Sequence, residues 1–203
     1  MRPSLRFIVI FAFFASSCEA GNPPLREGDI VFQTFPSAQC KAIQLATKSQ
    51  YSHMGMILTH DGKLMVYEAV SPVRFTPIDF WINRDQDHHL VVKRLRNADT
   101  ILTKANLAKL DSMASAFEGR PYDSAFNWSD DRLYCSELVW KVFDRALKID
   151  IGDLRKMKDF DLSSPEVQKQ LKGRYPDGVP FEETVISPQD MFQSNLLVTV
   201  YEQ

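Results

Sequence analysis

The stretch Gly119-Arg120-Pro121-Tyr122-Asp123, followed after a polar loop by Tyr134-Cys135-Ser136-Glu137-Leu138-Val139, decides the fold. The second part continues as an amphipathic pattern, which predicts that Cys135 opens a helix ending near residue 147. A thiol attacks as its thiolate, and the positive end of a helix favours that anion. Backbone N–H groups at a helix start can also hold a developing oxyanion. Cys135 is therefore a candidate nucleophile, and the alternative is a buried packing thiol.

Among the four histidines, His53 is the candidate general base. It lies in the apolar segment 52–57, where an ordinary strand would carry a hydrophobic residue, and a rigid strand is a good mount for a base. His60 adjoins a turn, and His88 and His89 follow a charged loop, so these three are predicted to be solvated. A histidine satisfied within the core is the alternative interpretation of His53.

The Asp-Gly pair at 61–62 is a strong signal for a two-residue hairpin loop. With that loop, Gly55 faces Glu68 on the next strand, and His53 lies two residues further along the same face. Diagonal neighbours of this kind have backbones roughly 7–8 Å apart, within reach of a long side chain. Glu68 is therefore predicted to accept a hydrogen bond from His53 and fix its tautomer. A three-residue loop would remove this argument, and pairing of Glu68 with Arg74 is the alternative.

Together these motifs resemble the NlpC/P60 papain-like superfamily, in which a Gly-x-Pro-Tyr element precedes a cysteine that opens a helix. The usual order there is cysteine, then a His-x-Gly strand, then a third polar residue. Here His53-Met54-Gly55 and Glu68 come first and Cys135 comes last, an order similar to the permuted YiiX/YebB-like branch. The resemblance covers essentially all the chain after the leader, and it includes the segments 28–30, 42–47, 51–53, 128–132 and 187–189.

The resemblance implies an α+β fold of the circularly permuted papain-like (NlpC/P60) type, with a small, mostly antiparallel sheet and packed helices. It also implies a triad of Cys135, His53 and Glu68, with Tyr122 lining the oxyanion or substrate side.

Two further residues are candidates for substrate binding. Related peptidoglycan endopeptidases often carry an aspartate directly before the cysteine, where this chain has Tyr134. This departure puts cleavage of the ordinary γ-D-glutamyl links of the cell wall in doubt. Trp128, in the loop before the helix, is a candidate wall of an apolar cleft, whereas Trp140 and Phe143 have helical spacing and are predicted to be core.

The periodicity predicts a single domain whose seven main elements up to residue 147, apart from the short helix at 77–83, follow the order β-α-β-β-β-α-α. The predicted elements are strands at 28–33, 52–58, 64–70, 90–95 and 195–201, and helices at 37–47, 77–83, 99 or 100 to 117, 135–147 and 165–171.

The first twenty residues resemble a secretory leader. Arg2 and Arg6 precede an apolar run at 7–15, and a small polar stretch ends at Ala20. We expect residues 1–20 to be a signal peptide and residues 21–203 to be one exported domain, periplasmic or associated with the cell envelope. Lipoprotein-type processing with a lipid anchor at Cys18 is the alternative.

The composition of the chain limits the kinds of molecule that the protein is expected to bind. The chain has 203 residues, is 44% hydrophobic and carries a net charge of −2, with no basic stripe that nucleic acid would require. After the leader, no segment has the roughly 20 apolar residues of a transmembrane helix. No histidine or cysteine pair has zinc-ligand spacing, and no cofactor is expected.

Only Cys40 and Cys135 follow the leader. Cys40 is predicted to pack in the first helix, and a Cys40–Cys135 disulfide is the alternative.

The sequence therefore predicts a thiol hydrolase that cleaves an amide in a peptide or muropeptide through an acyl-enzyme. Two alternatives stay open. One is a lipid acyl hydrolase or acyltransferase, and the other is a binding module with a vestigial triad.

Overall fold

A sheet with helices packed on it forms the part of the chain that the structure, a computed structural model, describes, which is residues 25–85 and 88–203. The strands are β1 (Ile30–Gln33), β2 (His53–His60), β3 (Lys63–Glu68), β4 (Arg74–Thr76), β5 (Val91–Leu95), β6 (Arg155–Lys156), β7 (Thr184–Val185) and β8 (Leu197–Glu202). The helices are α1 (Ala38–Thr47), α2 (Ile78–Ile82), α3 (Ala98–Ile101), α4 (Lys104–Phe117), α5 (Cys135–Leu147), α6 (Pro165–Arg174) and α7 (Pro188–Phe192). The predicted leader and Cys18 lie outside the described residues.

Six strands form one sheet in the order β4-β3-β2-β1-β5-β8, and each neighbouring pair is antiparallel. β6 and β7 form a separate two-stranded ribbon. The predicted α+β architecture, with an antiparallel sheet and packed helices, is confirmed.

The β2–β3 hairpin has the predicted two-residue loop. Asp61 and Gly62 both have positive φ, 50° and 74°, which is the conformation of the tight turns that match the twist of paired strands. His60 pairs with Lys63, and Met56 pairs with Tyr67. The register that was inferred from the Asp-Gly pair is therefore confirmed.

Helix α5 packs against β2 and brings the thiol to the sheet. Its inner side chains, among them Leu138 and Val142, share a core with Phe32, Met54 and Met56 on one face of the sheet. Burial of each such side chain contributes roughly 1.5–3 kcal/mol, so this interface is a main source of stability. Because β2 begins at His53 and α5 begins at Cys135, docking the two elements brings both residues to one place.

The helix predicted from residue 99 or 100 to 117 is two helices. Leu102 leaves the helical conformation with ψ 55°, and the Thr103 hydroxyl caps α4 by accepting from the backbone N–H of Asn106. A threonine cap outweighs the continuous apolar spacing here. The helix predicted over 165–171 continues through Gly173 to Arg174.

None of the helices in the described residues is long and apolar enough to cross a bilayer.

Candidate active site

The predicted base and the predicted orienting carboxylate are in contact. His53 is 7% exposed, and its Nε2 lies 2.7 Å from Oε2 of Glu68, which is fully buried at the end of β3. A carboxylate only accepts, so Nε2–H is the donor in this bond. Nδ1 is then the ring nitrogen available to a thiol.

Gly55 gives these side chains the space to meet. A Cβ at Gly55 would lie 2.5 Å from Cγ1 of Val66, 2.9 Å from the Tyr67 carbonyl oxygen and 3.4 Å from Cβ of Glu68. Two of these distances are too short for any real side chain. Only glycine lets the two strands pack this closely beside His53.

We expect Gly55→Ala to lower the free energy of unfolding by about 1–3 kcal/mol, because the methyl group forces apart a packed site. Urea unfolding followed by circular dichroism measures the change. Gly173→Ala is the matched control, since a Cβ at that helical position meets no atom within 4 Å. That control is expected to stabilise the protein by roughly 0.5–1 kcal/mol. Equal effects of the two substitutions would contradict the close approach at Gly55.

Glu68 is held by three further side chains besides His53. The Thr76 hydroxyl donates to Oε1 over 2.6 Å, and the Trp81 indole N–H donates to Oε2 over 3.1 Å. The Arg84 guanidinium reaches both oxygens, at 2.8 Å and 2.7 Å. The carboxylate is thus fixed in position before any substrate arrives.

Glu68 does not form an ion pair with Arg74, the arginine that the sequence offered as an alternative partner. Arg74 is opposite Glu68 in the β3–β4 register, but it is exposed. Arg84, just after α2, supplies the ion pair instead. Sequence reasoning missed Arg84, because no spacing rule connects the end of a short helix to a carboxylate on a strand.

These contacts set the charges of the pair. Burial alone would raise the pKa of Glu68, but the bonds from His53, Arg84 and Thr76 outweigh it and lower the pKa to about 2. Burial likewise would lower the pKa of His53, but its hydrogen bonds to Cys135 and Glu68 raise the pKa to about 10. The imidazole can therefore hold a proton at neutral pH.

The candidate nucleophile is the first residue of α5, as predicted. Cys135 is 3% exposed, is a free thiol and lies close enough to His53 to raise the pKa of the imidazole. The Glu137 carboxylate accepts from the backbone N–H of Tyr134 at 3.3 Å, which satisfies a free N–H at the helix start. The structure brings together all three residues of the predicted triad.

The second cysteine forms no bridge to Cys135. Cys40 is buried in α1 and is also a free thiol, so the Cys40–Cys135 disulfide alternative is wrong. Cys40 packs within the helix, as its position in the sequence indicated.

Tyr122 lies beside the thiol. Its phenol oxygen accepts from Nε2 of Gln39 at 2.9 Å, and its backbone bridges to Leu133, two residues before Cys135. Burial and the charge of Cys135 both raise the pKa of Tyr122 well above its usual value. The hydroxyl therefore keeps its proton and can act as a donor. Its role at an oxyanion stays a prediction.

Tyr134 is buried behind the nucleophile. Its hydroxyl accepts from the backbone N–H of Ile186 at 3.1 Å, and its ring meets Phe126 edge-on. Tyr134 and Ser136 line an apolar cavity of about 100 Å³ between α1, α6 and α7. A contact of Tyr134 with substrate stays a prediction.

Trp128 packs on the outer side of α5. Its ring meets Trp140 edge-to-face at 5.3 Å and lies under the Lys141 ammonium at 4.9 Å. Its backbone N–H donates to Glu183 at 2.7 Å. These contacts anchor the loop before Cys135, and the predicted role of Trp128 in a cleft stays untested.

A buried ion pair supports the start of α5. The Lys141 ammonium lies 2.7 Å from Glu137 and 3.0 Å from Asp130, and both Lys141 and Glu137 are almost fully buried. Burial raises the pKa of Glu137 to about 7, although the bond from Lys141 lowers it in part. Asp130 also pairs with Arg145, so the loop before α5 is tied to the helix.

This pKa predicts a pH dependence of stability. Between pH 4.5, the ordinary value, and about 7, the unfolded chain releases the Glu137 proton while the folded chain retains it. The stabilisation linked to Glu137 is therefore present below pH 4.5 and lost as the pH rises through 7. We expect thermal unfolding of the wild type to show this decline and Glu137→Gln to show a flatter profile. Parallel profiles for the two proteins would contradict this prediction.

Within residues 25–85 and 88–203, no group of three His, Cys, Asp or Glu side chains is arranged to hold a metal ion.

Comparisons with known proteins agree with this geometry. A family model described as a permuted papain-like amidase enzyme of the YaeF/YiiX, C92 family matches residues 24–201. The uncharacterized protein YiiX of Escherichia coli K12 is 49% identical over 173 residues, which cover 85% of this chain and 84% of YiiX. A crystal structure described as metalloprotein YiiX from E. coli O157:H7 superposes with a TM-score of 0.83 at 47% identity. The superposition covers 88% of this chain and 97% of that one.

Proposed function

Because the chain belongs to the permuted papain-like amidase family of YaeF and YiiX, we propose that it is an exported cysteine hydrolase that cleaves an amide bond in a peptide or muropeptide. One observation carries the proposal. Cys135, at a helix start, interacts with His53, and His53 is hydrogen-bonded to the buried Glu68 carboxylate at 2.7 Å. This order of thiol, imidazole and carboxylate is the arrangement that activates a cysteine for attack on an acyl carbon.

In the first step, Nδ1 of His53 accepts the thiol proton and the thiolate attacks the carbonyl carbon of the substrate. The Glu68 carboxylate accepts from Nε2–H and stabilises the resulting imidazolium. The developing oxyanion takes hydrogen bonds from the backbone N–H of Cys135 and from the Tyr122 hydroxyl. Gln39 already donates to the Tyr122 oxygen, so the Tyr122 proton can point at substrate.

The tetrahedral intermediate then collapses. His53 returns its proton to the leaving amine, the C–N bond breaks, and the acyl group stays on Cys135 as a thioester. A water molecule next gives a proton to His53 and attacks the thioester carbon, and the products are a carboxylic acid and the free thiol.

No step of this mechanism passes through a metal. The E. coli O157:H7 relative is described as a metalloprotein, but the described residues of this chain offer no set of three His, Cys, Asp or Glu ligands.

The apolar cavity favours a second candidate function, the cleavage or transfer of a lipid acyl group. Tyr134 and Ser136, the two residues that flank Cys135 in the chain, line this cavity. Among its other walls are Ala42, Leu171 and Val185. An alkyl chain suits such a surface.

Intact-mass spectrometry tests both candidates. The protein is incubated with a muropeptide digest, with a synthetic peptide mixture and with phospholipid vesicles, and then quenched in acid. An acyl adduct mapped to Cys135 and free amine products from peptide or muropeptide support the proposal. An adduct formed only from phospholipid would replace it with the second candidate. No adduct and no cleavage in any arm would leave the triad without a hydrolytic role.

A further inference from the structure

Gln33, the last residue of β1, is a buried polar residue whose side-chain amide is not satisfied by hydrogen bonds from the residues that the structure describes. Its side chain is fully buried, yet neither Oε1 nor Nε2 finds a hydrogen-bond partner within the described part of the chain. Buried polar groups in proteins are satisfied in the large majority of cases, because an unpaired buried amide costs stability. An amide left unpaired at both ends calls for a ligand as its partner.

The register places this amide at the active site. Gln33 pairs directly with His53 across β1 and β2. Residues directly opposite in an antiparallel pair project to the same face, with Cβ atoms about 4.5–5.5 Å apart. Gln33 therefore stands beside the base, on the face that also carries Glu68. His53 does not satisfy it, since its Nε2 is bonded to Glu68 and neither polar atom of the Gln33 amide has a hydrogen-bond partner among the described residues.

A carboxamide offers one acceptor, Oε1, and two donor hydrogens on Nε2. In an extended peptide, the N–H and C=O of one residue point to the same side, as they do in a β-ladder. A single glutamine side chain can bind both groups at once. An ester-linked acyl chain has no N–H and cannot complete this pair.

We propose that Gln33 is a substrate-binding residue whose carboxamide pairs with the backbone N–H and C=O of one residue of an extended peptide. The proposal rests on the proposed hydrolase function and narrows its substrate to peptides. It makes Gln33 a specificity determinant beside the triad.

Alkylation of Cys135 by two peptide chloromethyl ketones tests the proposal. The probes are acetyl-Ala-Ala chloromethyl ketone and the same compound N-methylated at the alanine next to the ketone. We expect the wild type to react at least about tenfold faster with the N–H probe, because the methyl group removes the donor that Oε1 accepts. In Gln33→Met, which keeps the volume but lacks the amide, the ratio of the two rates should approach one.

Two readouts separate the possible outcomes. Iodoacetamide contains no peptide residue, so its rate with Cys135 should agree within about twofold in the wild type and Gln33→Met. Failure of the hydrolase function would appear as an unreactive Cys135 towards both classes of probe. Removal of an unpaired buried amide should leave the Tm of Gln33→Met equal or raise it by a few degrees.

An unchanged rate ratio together with a lower Tm would overturn the proposal and make Gln33 a structural residue. Gln33→Leu provides a second variant if Gln33→Met does not fold. The ratio of its alkylation rates with the N–H and N-methyl probes then tests the proposal.

Discussion

Cys135→Ala is expected to abolish acyl-enzyme formation and to lower amide hydrolysis by at least about 10⁴-fold, the loss seen when a nucleophile is removed from a cooperating triad. The thiol is almost fully buried at the start of α5, next to His53. Intact-mass spectrometry after incubation with iodoacetamide and with a peptide chloromethyl ketone measures the loss of labelling. Hydrolysis of peptide amides measures the loss of turnover.

Cys40→Ala is the matched control for this experiment. Cys40 is also a buried free thiol, but it lies in α1 and takes no part in the triad. We expect Cys40→Ala to retain labelling and turnover, and circular dichroism should show that both variants fold. Labelling that persists in folded Cys135→Ala would remove Cys135 from the role of nucleophile.

The second large effect is expected from Glu68→Gln. The substitution keeps the shape of the side chain but removes the charge that pairs with Arg84 and stabilises protonated His53. Loss of one partner from a buried ion pair costs about 3–5 kcal/mol of stability. Loss of the orienting carboxylate of a triad lowers the rate by up to about 10⁴-fold. Guanidinium unfolding measures the first effect, and the rate of Cys135 alkylation by a peptide chloromethyl ketone measures the second.

Asp29→Asn is the control that separates the loss of stability from the loss of Cys135 reactivity. Asp29 is another fully buried carboxylate paired with an arginine, Arg94, at 2.7 Å, but it lies at the opposite end of β1 from Gln33. We expect Asp29→Asn to destabilise the protein by a similar amount and to leave the alkylation rate of the folded protein unchanged. If Glu68→Gln loses no more reactivity than Asp29→Asn, Glu68 is a structural residue.

The His53–Glu68 contact was predictable because it depends on local geometry. A two-residue Asp-Gly loop fixes the register of the hairpin, and the two-residue period of a strand then fixes which side chains share a face. Cys135 was predictable in a similar way, from a helix pattern that begins at the cysteine. Both inferences use residues that are close in sequence or in one regular element.

The remainder of the site depends on contacts that sequence spacing does not encode. Trp81 and Arg84 reach Glu68 from the segment around α2, and their positions follow from how that helix packs on the sheet. Gln33 becomes notable only when the β1–β2 pairing is known, because the pattern of β1 alone marks it as a polar strand end. The break between α3 and α4 depends on one threonine cap within a continuous apolar pattern.

The permuted order of the triad also affects how the protein folds. His53 and Glu68 are 15 residues apart and meet within one hairpin, a structure that forms in microseconds. The thiol meets its base only through a contact that spans 82 residues (135 − 53), which must await collapse of α5 onto the sheet. In a nascent or partly folded chain, Cys135 is therefore not yet beside His53. Under the proposed function, the active site is assembled only once α5 has docked on the sheet.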